Sequence, residues 1–248
     1  MTSRVSPLCD KLISSNQTAF IKGRFILESV VMAHEVIHEV HRSGSSGLIL
    51  KLDYEKAYDR VNWDFIKEMI LSRGFGIKWV NWVLSTLHQG TFQVRINETN
   101  GPYFVAGKGL KQSDPHSPLV VDVFTKMLSK AARADLIGGL LPQVIPGGVI
   151  ILQYVDDTIL FLQDSMAYAK NLKWILTCFE NLSGMKINFN KSDLHTINIP
   201  VDVSNELAQI FCCQFGDFPF KYLGVPLHFK KVYVFCGRNI VVRFIKST

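Results

Sequence analysis

The chain has 248 residues, 48% of them hydrophobic and 19% charged. That is enough apolar material for one large domain or two small ones, and the composition excludes global disorder. No apolar run reaches the length of a membrane span, because Asp156 and Asp157 interrupt the longest one, and residues 1–12 lack the apolar core of a signal peptide. Five cysteines (Cys9, Cys178, Cys212, Cys213, Cys236) form no Cys-x-x-Cys pair, an odd and scattered set that fits reduced thiols and an intracellular location. Lys and Arg outnumber Asp and Glu by 27 to 21. From Pro219 onward stand Lys221, Lys230, Lys231, Arg238, Arg243 and Lys246 with no acid, so the basic excess belongs to the tail and the rest of the chain is balanced.

Taken in order, residues 1–22 read as loop. Ile26, Val30, Ala33, Ile37 and Val40 predict a helix over 25–41, stopped by Ser43-Gly44-Ser45-Ser46-Gly47. A short β run over 48–52 ends at Asp53. Helices follow at 63–73, with Asn62 as N-cap and Gly74 just past the end, and at 78–88. Residues 91–97 and 102–106 predict a hairpin around Asn100-Gly101. A loop over 107–116 precedes a helix with Ser117 as N-cap and Pro118 at its first position. Two apolar runs flank Val155-Asp156-Asp157. A long amphipathic helix over 165–182 buries Leu172, Ile175, Leu176 and Phe179 and closes at Gly184. Strands are expected at 185–189 and 195–199. Phe220-Lys221-Tyr222-Leu223-Gly224 and an apolar-basic tail end the chain. Interleaved helices and antiparallel strands indicate an α+β fold.

The stretch from Gly147 to Gln163 carries the chemistry. It reads as two buried strands joined by a short turn with two adjacent carboxylates at the tip. Like charges so close raise each other's pKa and are kept most readily where cations sit. Magnesium, a hard ion held by one or two carboxylates plus substrate phosphates, is the candidate, and a surface β-turn is the alternative. Asp53 also ends an apolar strand. If the strands are neighbours, Asp53, Asp156 and Asp157 converge and suit two divalent ions acting in phosphoryl transfer to a nucleotide or polynucleotide.

Six ordered pieces extend this reading: Gln17-Thr18-Ala19-Phe20-Ile21-Lys22-Gly23-Arg24, the run from Leu52 to Asp59 (LDYEKAYD), the run from Gly109 to Pro118 (GLKQSDPHSP), Tyr154-Val155-Asp156-Asp157, the run from Ser183 to Asn188 (SGMKIN) and Lys221-Tyr222-Leu223-Gly224. Over about residues 12–228 the chain resembles the reverse transcriptases of non-LTR (LINE-type) retrotransposons, especially those abundant in plant genomes. The resemblance implies a right-hand polymerase palm: an antiparallel sheet with helices packed on one face, beside partial fingers and without a thumb. The divisions are fingers at 1–46, palm at 47–218, and a primer-grip region with an aberrant tail at 219–248. It implies RNA-directed DNA synthesis with two Mg2+ ions, Mn2+ being an alternative, on an RNA template with a DNA primer and deoxynucleoside triphosphates. Asp53 and Asp156 would hold the metals, Asp157 would be the third carboxylate, and Tyr54 would lend its backbone carbonyl. Tyr58 would lie under the incoming sugar and exclude a 2′-hydroxyl. Gln112 would position nucleotide and template. Lys186 or Lys191 falls where a proton donor to pyrophosphate is expected. Tyr222, Leu223 and Gly224 would form the primer grip, and Lys22 and Arg24 belong to the fingers.

Three residues depart from the family's pattern. Ser113 stands where the loop has glycine, His116 where it has leucine, and Val155 where relatives have alanine. A glycine is typical where backbone approaches a ligand, so Ser113 is expected to reshape the nucleotide pocket. His116 is expected to cost stability unless its ring finds a partner. The first fingers motif, a thumb and an endonuclease domain are not seen, which reads as a fragment of an element. Two rival functions remain. One is a nucleic-acid-binding remnant without catalysis. The other is a zinc peptidase, since His34-Glu35-Val36-Ile37-His38 matches His-Glu-x-x-His on a helix; its plain alternative is a partly exposed helix flank.

Overall fold

The computed structural model describes residues 12–13, 25–111, 114 and 116–230. Lys22, Arg24, Gln112, Ser113 and residues 231–248 lie outside them.

The central strand is β1 (Gly47–Leu52), which pairs antiparallel with β6 (Asp157–Gln163) on one side and β8 (Asp193–Ile197) on the other. β5 (Ile151–Tyr154) extends the sheet beyond β6, and β9 (Gln214–Phe215) adds a parallel edge beside β8. Leu48, Ile49 and Leu50 are all fully buried, the unbroken apolar run of a strand covered on both faces. Even-numbered Leu48, Leu50 and Leu52 share one core with Leu160, Leu162 and Leu194. Over that core pack α2 (Trp63–Ser72), α3 (Ile77–His88), α4 (Ser117–Arg133), α5 (Met166–Ser183) and α6 (Val201–Phe211). This is the helical layer expected of a palm. The opposite face, with Ile49, Ile159, Phe161 and Ile197, meets α1 (Ile26–Arg42) and a hairpin of β10 (Phe220–Tyr222) and β11 (Val225–Leu227).

Local signals account for most boundaries. The Asn62 side chain accepts the Asp64 N–H at 2.9 Å, and Gly74 ends α2 with φ +82°. Gly184 closes α5 at φ +78°, where a Cβ would meet the Arg60 carbonyl oxygen at 2.6 Å. Three expectations fail. The hairpin of β3 (Thr91–Ile96) and β4 (Thr99–Val105) turns at Asn97 and Glu98, both at positive φ, and not at Asn100-Gly101. A turn centred on Asn100-Gly101 needs the N–H of the next residue to close it, and that residue is Pro102, which has none. α4 starts one residue early, with Ser117 inside the helix and His116 at the cap without a side-chain capping bond. The strand expected at 185–189 shrinks to β7 (Lys186–Ile187), paired with β2 (Tyr54–Glu55). α6 was not expected, although Ser204, Leu207 and Phe211 mark its buried side.

The His-Glu-x-x-His pattern has a different use. His34 Nε2 bonds the Pro226 carbonyl at 3.0 Å, and His38 Nδ1 bonds the Phe229 carbonyl at 2.9 Å. The His41 ring stacks on Phe229 with centroids 4.3 Å apart. The imidazoles are struts between α1 and the β10–β11 hairpin. One nitrogen of each of His34 and His38 is engaged in this way, as it also is in many metal-bound imidazoles. What counts against the zinc reading is that among the described residues no three His, Cys, Asp or Glu groups are set to hold a metal ion. Among the described residues the cysteines are free and no helix is long and apolar enough to cross a membrane.

Two outcomes follow from this packing. Phe124 and Phe179 join α4 to α5, fully buried with ring centroids 4.8 Å apart. Phe179→Ala should cost about 3–5 kcal/mol in chemical denaturation. His34 has its pKa lowered from 6.5 by burial, and then by the His228 ring. The unfolded chain therefore binds the proton first, so this part of the stability is complete above about pH 6.5 and is lost as pH falls. The fall in stability between about pH 7 and 5.5 should be shallower in His34→Gln, with the buried His195, shifted the same way, keeping some slope.

Candidate active site

Strand register builds the site. Leu52 of β1 stands opposite Thr158 of β6, so the next residue, Asp53, falls beside Asp157. Tyr154 pairs with Asp157, which leaves Val155 and Asp156 as the two-residue turn between β5 and β6. All three aspartates are exposed at one edge of the sheet. Asp157 feels the other two: burial first, then Asp156, and further Asp53, raise its pKa, against a lowering by Lys51.

The turn is strained and supported from below. Val155 has φ +57°, a left-handed conformation that a β-branched side chain resists at a cost of order 1–3 kcal/mol. Under it lies a polar chain in the core. Thr125 of α4 donates to Gln153 Oε1 at 3.4 Å, Gln153 Nε2 donates to Thr158 Oγ1 at 3.2 Å, and Thr158 Oγ1 donates to the Asp156 carbonyl at 3.4 Å. Gln153 and Thr158 are essentially fully buried, where an unsatisfied amide would be costly. No sequence signal beyond a polar residue inside an apolar strand marks Gln153.

Asp53 sits where the chain changes partners, between the end of β1 and the start of β2. Tyr54 is buried, and burial raises its phenol pKa first, with Glu180 and Asp156 adding to the effect. Tyr58 lies in a short 3-10 helix, Ala57–Arg60. Its phenol is raised by burial and by the nearby Asp156, which puts the ring beside the carboxylate turn. The Gly109–Leu110 strip is bound to this helix: Leu110 N donates to the Tyr58 carbonyl and Gly109 N to the Val61 carbonyl, each at 2.8 Å. Gly109, at φ +94°, allows the contact, since a Cβ would meet the Asp59 carbonyl oxygen at 2.7 Å.

The remaining expected residues divide. Tyr222 is buried, and its phenol feels Asp157 while lying against Ser29 of α1. Leu223 and Gly224 form the β10–β11 turn with φ +50° and +80°. The segment expected to form a primer grip thus comes within electrostatic reach of Asp157. Lys186 and Lys191 are both exposed, Lys186 on β7 opposite Glu55 and Lys191 in the turn before β8. Gln112 is outside the described residues. His116 is buried and has found its partner. Its Nδ1 and backbone N both meet Asp114 Oδ1 at 2.8 Å. Burial alone would raise the Asp114 pKa, but the His116 bonds and the charges of His116 and Lys111 outweigh it and bring it below 3.8.

A central antiparallel strand ending in Asp53, a carboxylate-tipped hairpin beside it and a helical layer behind define a polymerase palm. Solved telomerases share the fold. The telomerase of Candida albicans, in complex with a fragment of telomeric RNA, aligns with TM-score 0.59 over 97% of this chain and 38% of that one, at 11% identity. The apo telomerase of Candida tropicalis aligns with TM-score 0.55 over 80% of this chain and 40% of that one, at 14% identity. The chain belongs to the reverse transcriptase (RNA-dependent DNA polymerase) family, whose model matches residues 1–227. Its relatives include the transposon TX1 uncharacterized 149 kDa protein of Xenopus laevis, 26% identical over 76% of this chain, and the Pol polyprotein of the type-2 retrotransposable element R2DM of Drosophila melanogaster, 24% identical over 71%. The chain spans 14% and 16% of those two proteins. Its kinship thus lies with non-LTR retrotransposon Pol proteins.

The carboxylate edge is an oxygen-only donor set with surplus negative charge, a chemistry that suits hard divalent ions whose remaining ligands come from substrate phosphates. As they stand, Asp53, Asp156 and Asp157 do not by themselves form a three-ligand metal cluster among the described residues. Removing one charge should relieve the metal-free protein. Asp157→Asn in EDTA should gain about 0.5 kcal/mol after solvent screening, read as a melting temperature about 1–2 °C higher, and the gain should vanish when Mg2+ is added.

Proposed function

We propose that this chain is the catalytic palm of an enzyme that copies an RNA template into DNA from a DNA primer and deoxynucleoside triphosphates. The observation that carries the reading is the β1–β6 register, which brings Asp53 to the same edge as Asp156 and Asp157. Asp53 and Asp156 would hold two Mg2+ ions, or Mn2+, with Asp157 and the Tyr54 carbonyl in support. Such ions, when bound, favour attack by the primer 3′ oxygen and stabilise the charge that develops on the leaving phosphate.

The chain's own residues divide the rest of the work. Tyr58, beside Asp156, presents an aromatic wall to the incoming sugar and rejects a 2′-hydroxyl by steric overlap. Gln112 orients nucleotide and template. Lys191, exposed in the turn that also binds Asp53, would hand a proton to the departing pyrophosphate, with Lys186 the competing donor. Tyr222, Leu223 and Gly224 hold the primer end at the carboxylate edge. His116 is accommodated by a partner of its own, Asp114.

Primer extension on an RNA template with Mg2+ tests this reading. Asp156→Asn should fall by roughly a thousandfold, about 4 kcal/mol of transition-state stabilisation. Tyr58→Ala should extend with ribonucleotides at least about tenfold better relative to deoxynucleotides, because the steric penalty is removed. Equal extension by wild type and Asp156→Asn would end the catalytic reading. Retained RNA binding would then leave a nucleic-acid-binding domain.

A further inference from the structure

Asp53 lies in a gap between two ladders. β1 pairs with β6 as far as Leu52 and with β8 as far as Lys51, and the next ladder, β2 with β7, begins at Tyr54. A residue in such a gap must find other partners for its N–H and C=O. Both come from the turn between β7 and β8. Asn188 N donates to the Asp53 carbonyl at 2.8 Å, and Asp53 N donates to Ser192 Oγ at 3.1 Å.

The turn is itself closed around one atom. The Asn188 carbonyl receives Lys191 N at 3.0 Å, Ser192 N at 3.0 Å and the Ser192 hydroxyl at 2.9 Å. Ser192 is fully buried and its hydroxyl donates and accepts at once, which alanine cannot do. Lys191, its neighbour, is exposed.

We propose that Ser192 is a positioning residue. Its hydroxyl fixes the backbone of Asp53 and so the placement of that carboxylate, and the shared turn ties the position of Lys191 to it. The inference rests on the polymerase reading of the carboxylate edge. A ligand displaced by a fraction of an ångström loses much of its worth, so the effect should appear in metal affinity and not only in stability.

The experiment uses the full chain with Mn2+ as the probe, counting bound ion by its electron paramagnetic resonance signal, alongside melting temperature in EDTA. Ser192→Ala should bind Mn2+ roughly tenfold more weakly, and Ser192→Thr, which keeps the hydroxyl, should stay close to wild type. Ser204→Ala is the control for loss of a buried serine. Ser204 bonds Thr196 and the Pro200 carbonyl on β8 and α6, so its variant should lower the melting temperature without changing Mn2+ affinity. Unchanged Mn2+ affinity in a folded Ser192→Ala overturns the proposal while leaving the polymerase reading intact. A wild type that binds no Mn2+ overturns both. Should Ser192→Ala not fold, amide exchange in the metal-free wild type decides. Protection of the Asp53 N–H supports the proposal, and exchange at the rate of an unprotected amide overturns it.

Discussion

Everything at the carboxylate edge depends on the pairing of β1 between β6 and β8. That pairing is a hydrophobic matter before it is a chemical one. The apolar run of β1 can be buried on both faces only at the centre of a sheet, with one core toward α2–α6 and another toward α1 and the β10–β11 hairpin. A shift of one residue in register would send each core residue to the wrong face. The same register decides that the residue after Leu52 meets the β5–β6 turn.

The edge also concentrates the molecule's local costs. Three aspartates repel, Val155 is held in a left-handed conformation, and polar side chains are enclosed beneath the turn. Each cost is matched by a specific support. Lys51 offsets part of the negative charge, the Thr125–Gln153–Thr158 chain satisfies the buried amide, and Ser192 with Asn188 takes both backbone groups of Asp53. Strain held this way by its surroundings is characteristic of sites that must be ready before a ligand arrives.

Much of the architecture was legible. The caps Asn62, Gly74 and Gly184 lie where turn chemistry puts them, and the long helix and the carboxylate hairpin are placed by apolar periodicity. The failures have physical causes. Asn100-Gly101 carries a strong turn signal that Pro102 cancels by lacking a donor. His34 and His38 have ligand spacing, yet one nitrogen of each ties α1 to the carbonyls of Pro226 and Phe229, far away in the chain, and among the described residues no third ligand joins them. His116, read as a liability, became tolerable through Asp114 two residues before it.

By itself the sequence determined the element types, the order of the motifs and the chemistry of the carboxylates, because periodicity, capping and residue type are local properties. Only the tertiary structure decided that Asp53 and the Tyr154–Asp157 turn meet, that Tyr222 comes up to Asp157, and that Ser192 holds the Asp53 backbone. The segments concerned are far apart in the chain, as with Asp53 and Ser192 at a separation of 139. They follow from which faces can be buried together, a property of the whole chain that no single stretch of it contains.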